Sequence, residues 1–181
     1  MEFYQVEETT PLRRVIRWIV DIVVVISLAW FAVYGFGTQI KVAGQSMAPL
    51  LEGEDVVLMD RLSYDFGSPG RFDVVMFERE DHKSNIKRII GLPGEEVQIV
   101  DGFVYIDGQR LRAEGELGRA VLPGLAENPV TLGEDEYFLM GDNRDGSEDS
   151  RFANIGNVKR DQIQGKIWLR LMPFLNIGFI E

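Results

Sequence analysis

The feature that most constrains the fold is an almost entirely apolar segment near the N-terminus, residues 15–36 (VIRWIVDIVVVISLAWFAVYGF). A transmembrane helix needs about 20 such residues to cross the ~30 Å hydrocarbon core of a bilayer. The segment is apolar on all its faces, which disfavours a core helix of a soluble protein. Residues 15–36 are therefore predicted to form a transmembrane helix.

The distribution of charge orients this predicted helix. The basic residues that precede its fully apolar part are Arg13, Arg14 and Arg17. By the positive-inside rule, residues 1–14 form a cytoplasmic tail and residues 37–181 lie on the outer side of the membrane. Asp21 follows Arg17 by one helical turn, so the two can pair near the headgroups. A cleaved signal peptide shares the basic start, but the apolar run is long for one, and a retained anchor is preferred.

Composition excludes several classes of function. A chain of 181 residues suits one domain and can bury a core. The absence of cysteine excludes disulfides, Cys-rich zinc sites and a thiol nucleophile. A net charge of −10 argues against nucleic acid as a partner, because phosphates attract basic patches.

After residue 37 the pattern changes to short β-rich runs that are separated by turn residues. Strands are predicted at 38–42, 56–59, 72–77, 85–90, 137–140 and 164–171. Residues 96–111 (EVQIVDGFVYIDGQRL) contain two Asp-Gly pairs, and the first favours a tight hairpin. Residues 112–135 have weak periodicity and are interpreted as an irregular excursion or a small subdomain. The predicted fold is mainly β, an antiparallel β-sheet domain with one N-terminal transmembrane helix.

A short polar loop after the apolar segment, residues 44–49 (GQSMAP), contains a candidate nucleophile, Ser46. A serine hydroxyl is a poor nucleophile at neutral pH and needs a nearby base to accept its proton. The only histidine, His82, lies in a polar run that is typical of a solvated turn. A lysine is therefore the better candidate for the base.

Lys87 lies in the predicted strand 85–90 and shares a face with Ile89, because strand side chains alternate. Partial burial there would lower the pKa of the lysine and yield a neutral amine that accepts a proton. From these residues alone, an ordinary charged lysine on a wet sheet face remains the preferred interpretation, since lysine is rarely buried.

The other concentrated polar feature is the loop of residues 141–151 (GDNRDGSEDSR). Aligning Gly146 with the invariant glycine of an EF-hand places Gly141 and Phe152 at ligand positions, which rejects a calcium loop of that type. Two interpretations remain open. The loop is either a solvated turn with internal hydrogen bonds, or a support for the base through its polar side chains.

These motifs, in their order along the chain, resemble those of the bacterial type I signal peptidases, membrane-anchored serine proteases that remove signal peptides from exported proteins. The boxes are similar to SM.P at 46–49, an Arg-Gly-Asp-like box at 71–75, KR.IGLPG at 87–94, and GDNR..S.DSR at 141–151. The last two are long and specific, and the resemblance covers nearly the whole chain.

The resemblance implies a Ser/Lys dyad with Ser46 as nucleophile and Lys87 as general base. It implies that Ser147 orients the lysine amine, and that Asp149 and Arg151 form a pair that shapes the site. The backbone N–H of Ser46 would belong to the oxyanion hole. Some members add a hydroxyl two residues before the nucleophile, where this chain has Gly44, so the second donor is unassigned.

The resemblance also implies a substrate pocket for small residues at positions −1 and −3 of the signal peptide. Its lining would be Ile40, Val42, Met47, Leu51 and Ile86, with Met47 exposed near the membrane surface. The substrate would add as a strand beside residues 40–43 and 81–87. Two further departures from the family pattern are Leu50, where threonine is common, and Phe72, where glycine is common.

The implied partners are signal-peptide-bearing preproteins and the lipid bilayer, and no cofactor or metal is implied. The implied location is the bacterial cytoplasmic membrane, with a catalytic domain at 37–181 outside it. Two alternatives have different functions: an inactive membrane-tethered binding or assembly module of the same fold, and a self-cleaving repressor-type protease. The sequence leaves the oligomeric state open.

Overall fold

A computed structural model of the protein describes residues 11–112 and 118–180. Most of the predicted cytoplasmic tail, residues 1–14, lies outside the described residues. So do residues 113–117 of the predicted excursion.

The N-terminal helix, α1, covers Pro11–Phe36. Proline at the first helical position is favourable, because its missing N–H would have no partner there. The helix starts one turn before the apolar segment 15–36 and is roughly 39 Å long at 1.5 Å per residue. Gly35 is the only buried residue of α1. Within the described chain, α1 is the one helix that is long and apolar enough to cross a membrane.

The end of α1 is attached directly to the β domain. The backbone N–H of Arg61 donates to the carbonyl of Gly35 at 2.9 Å, and the indole Nε1 of Trp168 donates to the carbonyl of Phe36 at 3.1 Å. A Cβ at Gly35 would collide with the side chain of Leu62, so glycine permits this close approach. The helix end and the β domain are therefore held together by specific contacts.

The larger of the two described sheets has eight strands, and all pairings in both sheets are antiparallel. Its strands are β1 (Thr38–Lys41), β2 (Val56–Asp60), β3 (Val74–Glu78), β4 (Ser84–Gly91), β9 (Glu136–Met140), β10 (Val158–Lys159), β11 (Ile163–Met172) and β12 (Gly178–Phe179). The order is β1-β2-β11-β3-β4-β9-β10, with β12 paired to β11.

The smaller sheet is built mainly from residues 96–110. Its strands are β5 (Glu96–Val100), β6 (Phe103–Ile106), β7 (Gln109–Arg110) and β8 (Val130–Thr131), in the order β7-β6-β5-β8. Both residues of each Asp-Gly pair have positive φ, as a type I′ turn requires. The structure thus confirms the predicted fold class, a mainly antiparallel β-sheet domain with one long N-terminal apolar helix.

The short helical elements are α2 (Ser63–Phe66) and 3₁₀ turns at Gly124–Glu127, Arg160–Gln162 and Phe174–Asn176. Predicted strand ends differ from the observed ones by at most two residues, the largest shift being the start of β3. Phe72 has a φ of 72° there, a left-handed conformation that interrupts a strand and that glycine adopts more readily. Glycine, which the resemblance implies at this position, would adopt this conformation without strain.

Candidate active site

Ser46 lies in the loop after β1, and two contacts from residue 143 hold this loop in place. The backbone N–H of Asn143 donates to the carbonyl of Ser46 at 3.1 Å, and its Nδ2 donates to the carbonyl of Gln45 at 3.1 Å. The next side chain, Met47, is 2% exposed and packs in the hydrophobic core beneath β1 and β2. The predicted exposure of Met47 is wrong, because this side chain anchors the loop to the core.

Lys87 lies in the middle of β4 and is 2% exposed. Its Nζ lies 2.7 Å from the Oγ of Ser46, within hydrogen-bond distance. Burial lowers the pKa of Lys87 to about 8, and the nearby carboxylate of Asp149 opposes this shift. The structure therefore brings the predicted nucleophile and base together and gives the lysine a substantial neutral fraction just above neutral pH.

Asp149 and Arg151 form a pair whose side chains are both completely buried. The guanidinium donates to the two carboxylate oxygens in a fork, from Nε to Oδ1 at 2.8 Å and from Nη2 to Oδ2 at 2.9 Å. Asp149 also accepts from the backbone N–H of Gly141 at 3.0 Å, and Arg151 donates to the carbonyl of Arg144 at 2.7 Å. The pair closes the loop 141–151 onto itself.

Ser147 is buried, and its Oγ has no hydrogen-bond partner among the residues that the structure describes. A Cβ placed on Gly141 would overlap both the hydroxymethyl group of Ser147 and the carbonyl oxygen of Ser46. The Ser147 side chain and the Ser46 carbonyl therefore meet on the side of Gly141 from which a side chain would project. The hydrogen bond from Ser147 to the Lys87 amine is not formed here and stays a prediction.

A second ion pair joins β4 to the same loop. Arg88 donates from Nε and Nη2 to the two carboxylate oxygens of Asp142, each at 2.8 Å, and from Nη1 to the carbonyl of Phe72 at 2.9 Å. Sequence reasoning assigned no role to either charged residue, although both lie inside family-like boxes. The pair fixes the start of the loop to the residue next to Lys87, and so aligns the loop with the base.

A cleft of about 170 Å³ opens beside Ser46. It is lined by four of the five predicted pocket residues: Ile40, Val42, Met47 and Ile86. The fifth, Leu51, does not line it, because its backbone N–H bonds to the carbonyl of Met47 and its fully buried side chain belongs to the core. Besides Gly44 and Ser46, five other lining residues were not in the predicted pocket: Lys41, Ala43, Met76, Ser84 and Asn85. Met76 is the cross-strand partner of Ile86.

Strand edges flank this cleft on two sides. β1 ends the order of the larger sheet and pairs with β2 alone among the described strands. β4 pairs with β3 along residues 84–88, whereas its pairing with β9 begins only at Arg88. The first half of β4 thus has a free edge in the described structure, and such an edge can accept an extended peptide.

The remaining candidates contribute less to the site. The backbone N–H of Ser46 donates to no acceptor within residues 11–112 and 118–180. Gly44 has a φ of +82°, and a Cβ there would meet no atom within 4 Å. The side chain of His82 is 87% exposed and lies 2.6 Å from Glu78. In the described chain no group of three or more acidic, His or Cys side chains could hold a metal.

Comparison with known proteins decides the family. The family model described as "Signal peptidase, peptidase S26" matches residues 15–172. The chain belongs to this signal peptidase family. Signal peptidase I of Bacillus caldolyticus is 32% identical over 173 residues, which cover 90% of this chain and 92% of that protein.

Two further relatives show the range of similarity. A probable signal peptidase I-2 of Synechocystis sp. is 34% identical over 146 residues, which cover 77% of this chain and 65% of that protein. The crystal structure of a signal peptidase I from Enterococcus faecalis V583 is 31% identical, with a TM-score of 0.46. That match covers 55% of this chain and 97% of the other.

Family membership confirms the predicted activity. This signal peptidase is a serine endopeptidase of the type I class that removes signal peptides, so its substrates carry signal peptides. The family is membrane-bound, and α1 is the candidate membrane span.

Proposed function

We propose that Ser46 is the nucleophile and Lys87 the general base of this signal peptidase. The observation that carries the proposal is the 2.7 Å contact between the Ser46 hydroxyl and a buried lysine amine. Burial lowers the pKa of Lys87 to about 8, so the amine can accept a proton at a mildly alkaline pH. His82 is exposed and is not required as a base.

In the first half of the reaction, the Ser46 Oγ attacks the carbonyl carbon of the last residue of the signal peptide. Lys87 accepts the hydroxyl proton as the C–O bond forms, and the carbonyl oxygen becomes an oxyanion. Lys87 then gives this proton to the leaving nitrogen as the C–N bond breaks. The mature protein departs with a free amine, and an ester of the signal peptide remains on Ser46.

In the second half, neutral Lys87 removes a proton from water as the water oxygen attacks the ester carbonyl. The proton passes to the Ser46 Oγ as the ester breaks, which restores the free enzyme. The signal peptide leaves as a carboxylic acid, which loses its proton to the solvent and becomes a carboxylate. The backbone N–H of Ser46, which has no acceptor in the described part of the chain, donates to the oxyanion in both halves. Gly44 has no side-chain donor, so a second donor comes from a backbone group or water.

The loop 141–151 supports the dyad in this mechanism. The buried hydroxyl of Ser147 has no hydrogen-bond partner among the described residues and lies beside the Ser46 backbone. It orients the Lys87 amine once Ser46 is acylated. The buried pair of Asp149 and Arg151 keeps the loop closed behind it. Removing one member of such a pair leaves an uncompensated charge, so both are needed for the geometry.

The substrate binds as an extended strand between β1 and the free edge of β4. Small side chains at positions −1 and −3 fit the cleft of about 170 Å³, whose walls are the apolar side chains of Ile40, Val42 and Ile86. Main-chain hydrogen bonds along the two edges supply affinity for any sequence, and the shallow walls select small residues.

The N-terminus lies in the cytoplasm and the β domain on the outer side of the bacterial cell membrane, with the bilayer itself as a binding partner. The arginines before the apolar part of α1 support this orientation. Because Trp168 and Arg61 bond to the end of α1, the β domain stays at the membrane boundary. A signal peptide that still spans the bilayer presents its cleavage site there.

The two alternative functions account for fewer of the observed features. An inactive tethered module does not need a buried lysine next to a serine hydroxyl, which costs folding free energy. A self-cleaving repressor-type protease does not need a helix such as α1, whose apolar side chains are exposed.

The test is cleavage of a preprotein by the full-length enzyme in detergent or membranes. Ser46→Ala and Lys87→Ala should each lower the rate by a factor on the order of 10³ or more, while the melting temperature shows a folded protein. Lys83→Ala is the matched control, because Lys83 lies on the same hairpin with a side chain that is 75% exposed. Robust cleavage by Ser46→Ala would reject the mechanism, and an inactive wild type would favour the tethered module.

A further inference from the structure

Asn85 is the polar side chain that lies on β4 two positions before Lys87. Because strand side chains alternate, the two residues share one face of the strand, with Cα atoms about 7 Å apart. Asn85 also lines the cleft that contains Ser46. Its position therefore brings an amide group next to the path of the substrate.

The Nδ2 of Asn85 is buried and has no hydrogen-bond partner within the described chain. Nearby cleft walls are apolar, and include Met47, Met76 and Ile86. A buried amide donor without an acceptor destabilises the folded state, so proteins rarely keep one without a reason. A donor that becomes paired only when a ligand binds, through rotation of the Asn85 amide towards the cleft, supplies such a reason.

An extended peptide in this cleft offers a suitable acceptor at every residue, its main-chain carbonyl oxygen. A side-chain acceptor is less suited, because the walls around Asn85 fit small apolar groups. The adjacent edge of β4 is free along residues 84–87, so a peptide strand can lie within reach of the amide.

We propose that Asn85 is a substrate-positioning residue whose side-chain amide donates a hydrogen bond to one main-chain carbonyl of the signal peptide, before the scissile bond. The inference rests on the proposed function of the Ser46 cleft. A single donor at a fixed distance from Lys87 fixes the register of the peptide strand, and a slip by one residue would turn its side chains away from the cleft.

The proposal predicts a trade between stability and substrate binding. Asn85→Leu keeps the approximate shape and removes the unpaired donor, so the free enzyme should melt at the same or a higher temperature. The same variant should raise the KM for a preprotein peptide by about fivefold to tenfold, the size of one lost hydrogen bond, with kcat little changed. A purely structural asparagine would give the opposite stability result.

The experiment measures kcat, KM and melting temperature for the full-length enzyme in detergent. Asn85→Ala, which removes the amide donor and adds no charge beside Lys87, should reproduce the KM increase even if Asn85→Leu fails to fold. Asn128→Leu is the matched control, because Asn128 is exposed and does not line the cleft. An unchanged KM in both Asn85 variants would overturn the proposal, as would a lower melting temperature of Asn85→Leu.

A second measurement identifies the acceptor. In the substrate peptides for this measurement, one carbonyl at a time is replaced by CH₂. One of these peptides should have a KM about fivefold to tenfold higher than the unmodified peptide with the wild type, and no further increase in KM with Asn85→Leu. If no carbonyl position shows this coupling to Asn85, the proposal is overturned. Failure here leaves Ser46→Ala inactive and the wild type cleaving normally, whereas failure of the proposed function leaves a Ser46→Ala variant that still cleaves or a wild type that does not.

Discussion

The Nζ of Lys87 lies 2.7 Å from the Oγ of Ser46, although the two residues are 41 positions apart in the chain. The contact depends on the core anchor of Met47 on one side and on the pairing of β4 with β3 on the other. The loop 141–151 joins the two, because Asn143 bonds to the carbonyl of Ser46 and Asp142 pairs with Arg88 of β4. The dyad is therefore a product of sheet packing, and changes in packing should alter catalysis.

The rate of cleavage should depend on pH through Lys87. Because burial lowers the pKa of Lys87 to about 8, the neutral amine that accepts the serine proton forms as pH rises through that value. The kcat/KM for a preprotein peptide should fall about tenfold per pH unit below it and level off above it. A pH profile measured with Lys83→Ala should coincide with that of the wild type, and a flat profile between roughly pH 6 and pH 9 would contradict the assignment.

Stability should also depend on the protonation of Lys87. The pKa of this lysine falls from 10.5 to about 8 on folding, so the unfolded chain binds more protons between these values. The penalty of burying the cation is thus fully present below about pH 8 and disappears as pH rises towards 10.5.

Lys87→Met should therefore be more stable than the wild type at neutral pH, by up to about 3 kcal/mol, with the gain shrinking as pH approaches 10.5. Chemical unfolding of the full-length protein in detergent at several pH values measures this difference. A variant that is less stable than the wild type at neutral pH would show that the lysine is not a buried cation with a lowered pKa.

Gly141 should be intolerant of any side chain. A Cβ there would overlap Ser147 and the carbonyl of Ser46, so Gly141→Ala must displace one of the two. The variant should lose at least about tenfold in kcat and about 1–3 kcal/mol in stability through overpacking. Gly178→Ala is the matched control, since its Cβ would meet no atom within 4 Å and its φ is not positive. Full activity of Gly141→Ala would contradict the described approach of the two serines.

Much of the fold follows from local patterns. The apolar run 15–36 predicts α1 because only a helix satisfies its backbone in lipid, and the Asp-Gly pairs predict β hairpins because both residues tolerate positive φ. Strand ends were harder to predict. The apolar pattern predicts a strand that starts at Phe72, whereas β3 begins at Val74, because Phe72 has a left-handed conformation. Periodicity reports which side chains alternate and not which φ each residue adopts.

Among the site residues, the sequence by itself determined the chemical types and the motif order, and hence Ser46, Lys87 and the polar loop as candidates. It could not decide that Lys87 is buried, because burial depends on strands that pair with β4 from distant positions. Only the tertiary structure shows that Leu51 belongs to the core and that Arg88 pairs with Asp142. Only it places in the cleft the Asn85 amide, whose Nδ2 has no partner among the described residues. Those outcomes depend on long-range packing, whereas a sequence pattern contains only the preferences of neighbouring residues.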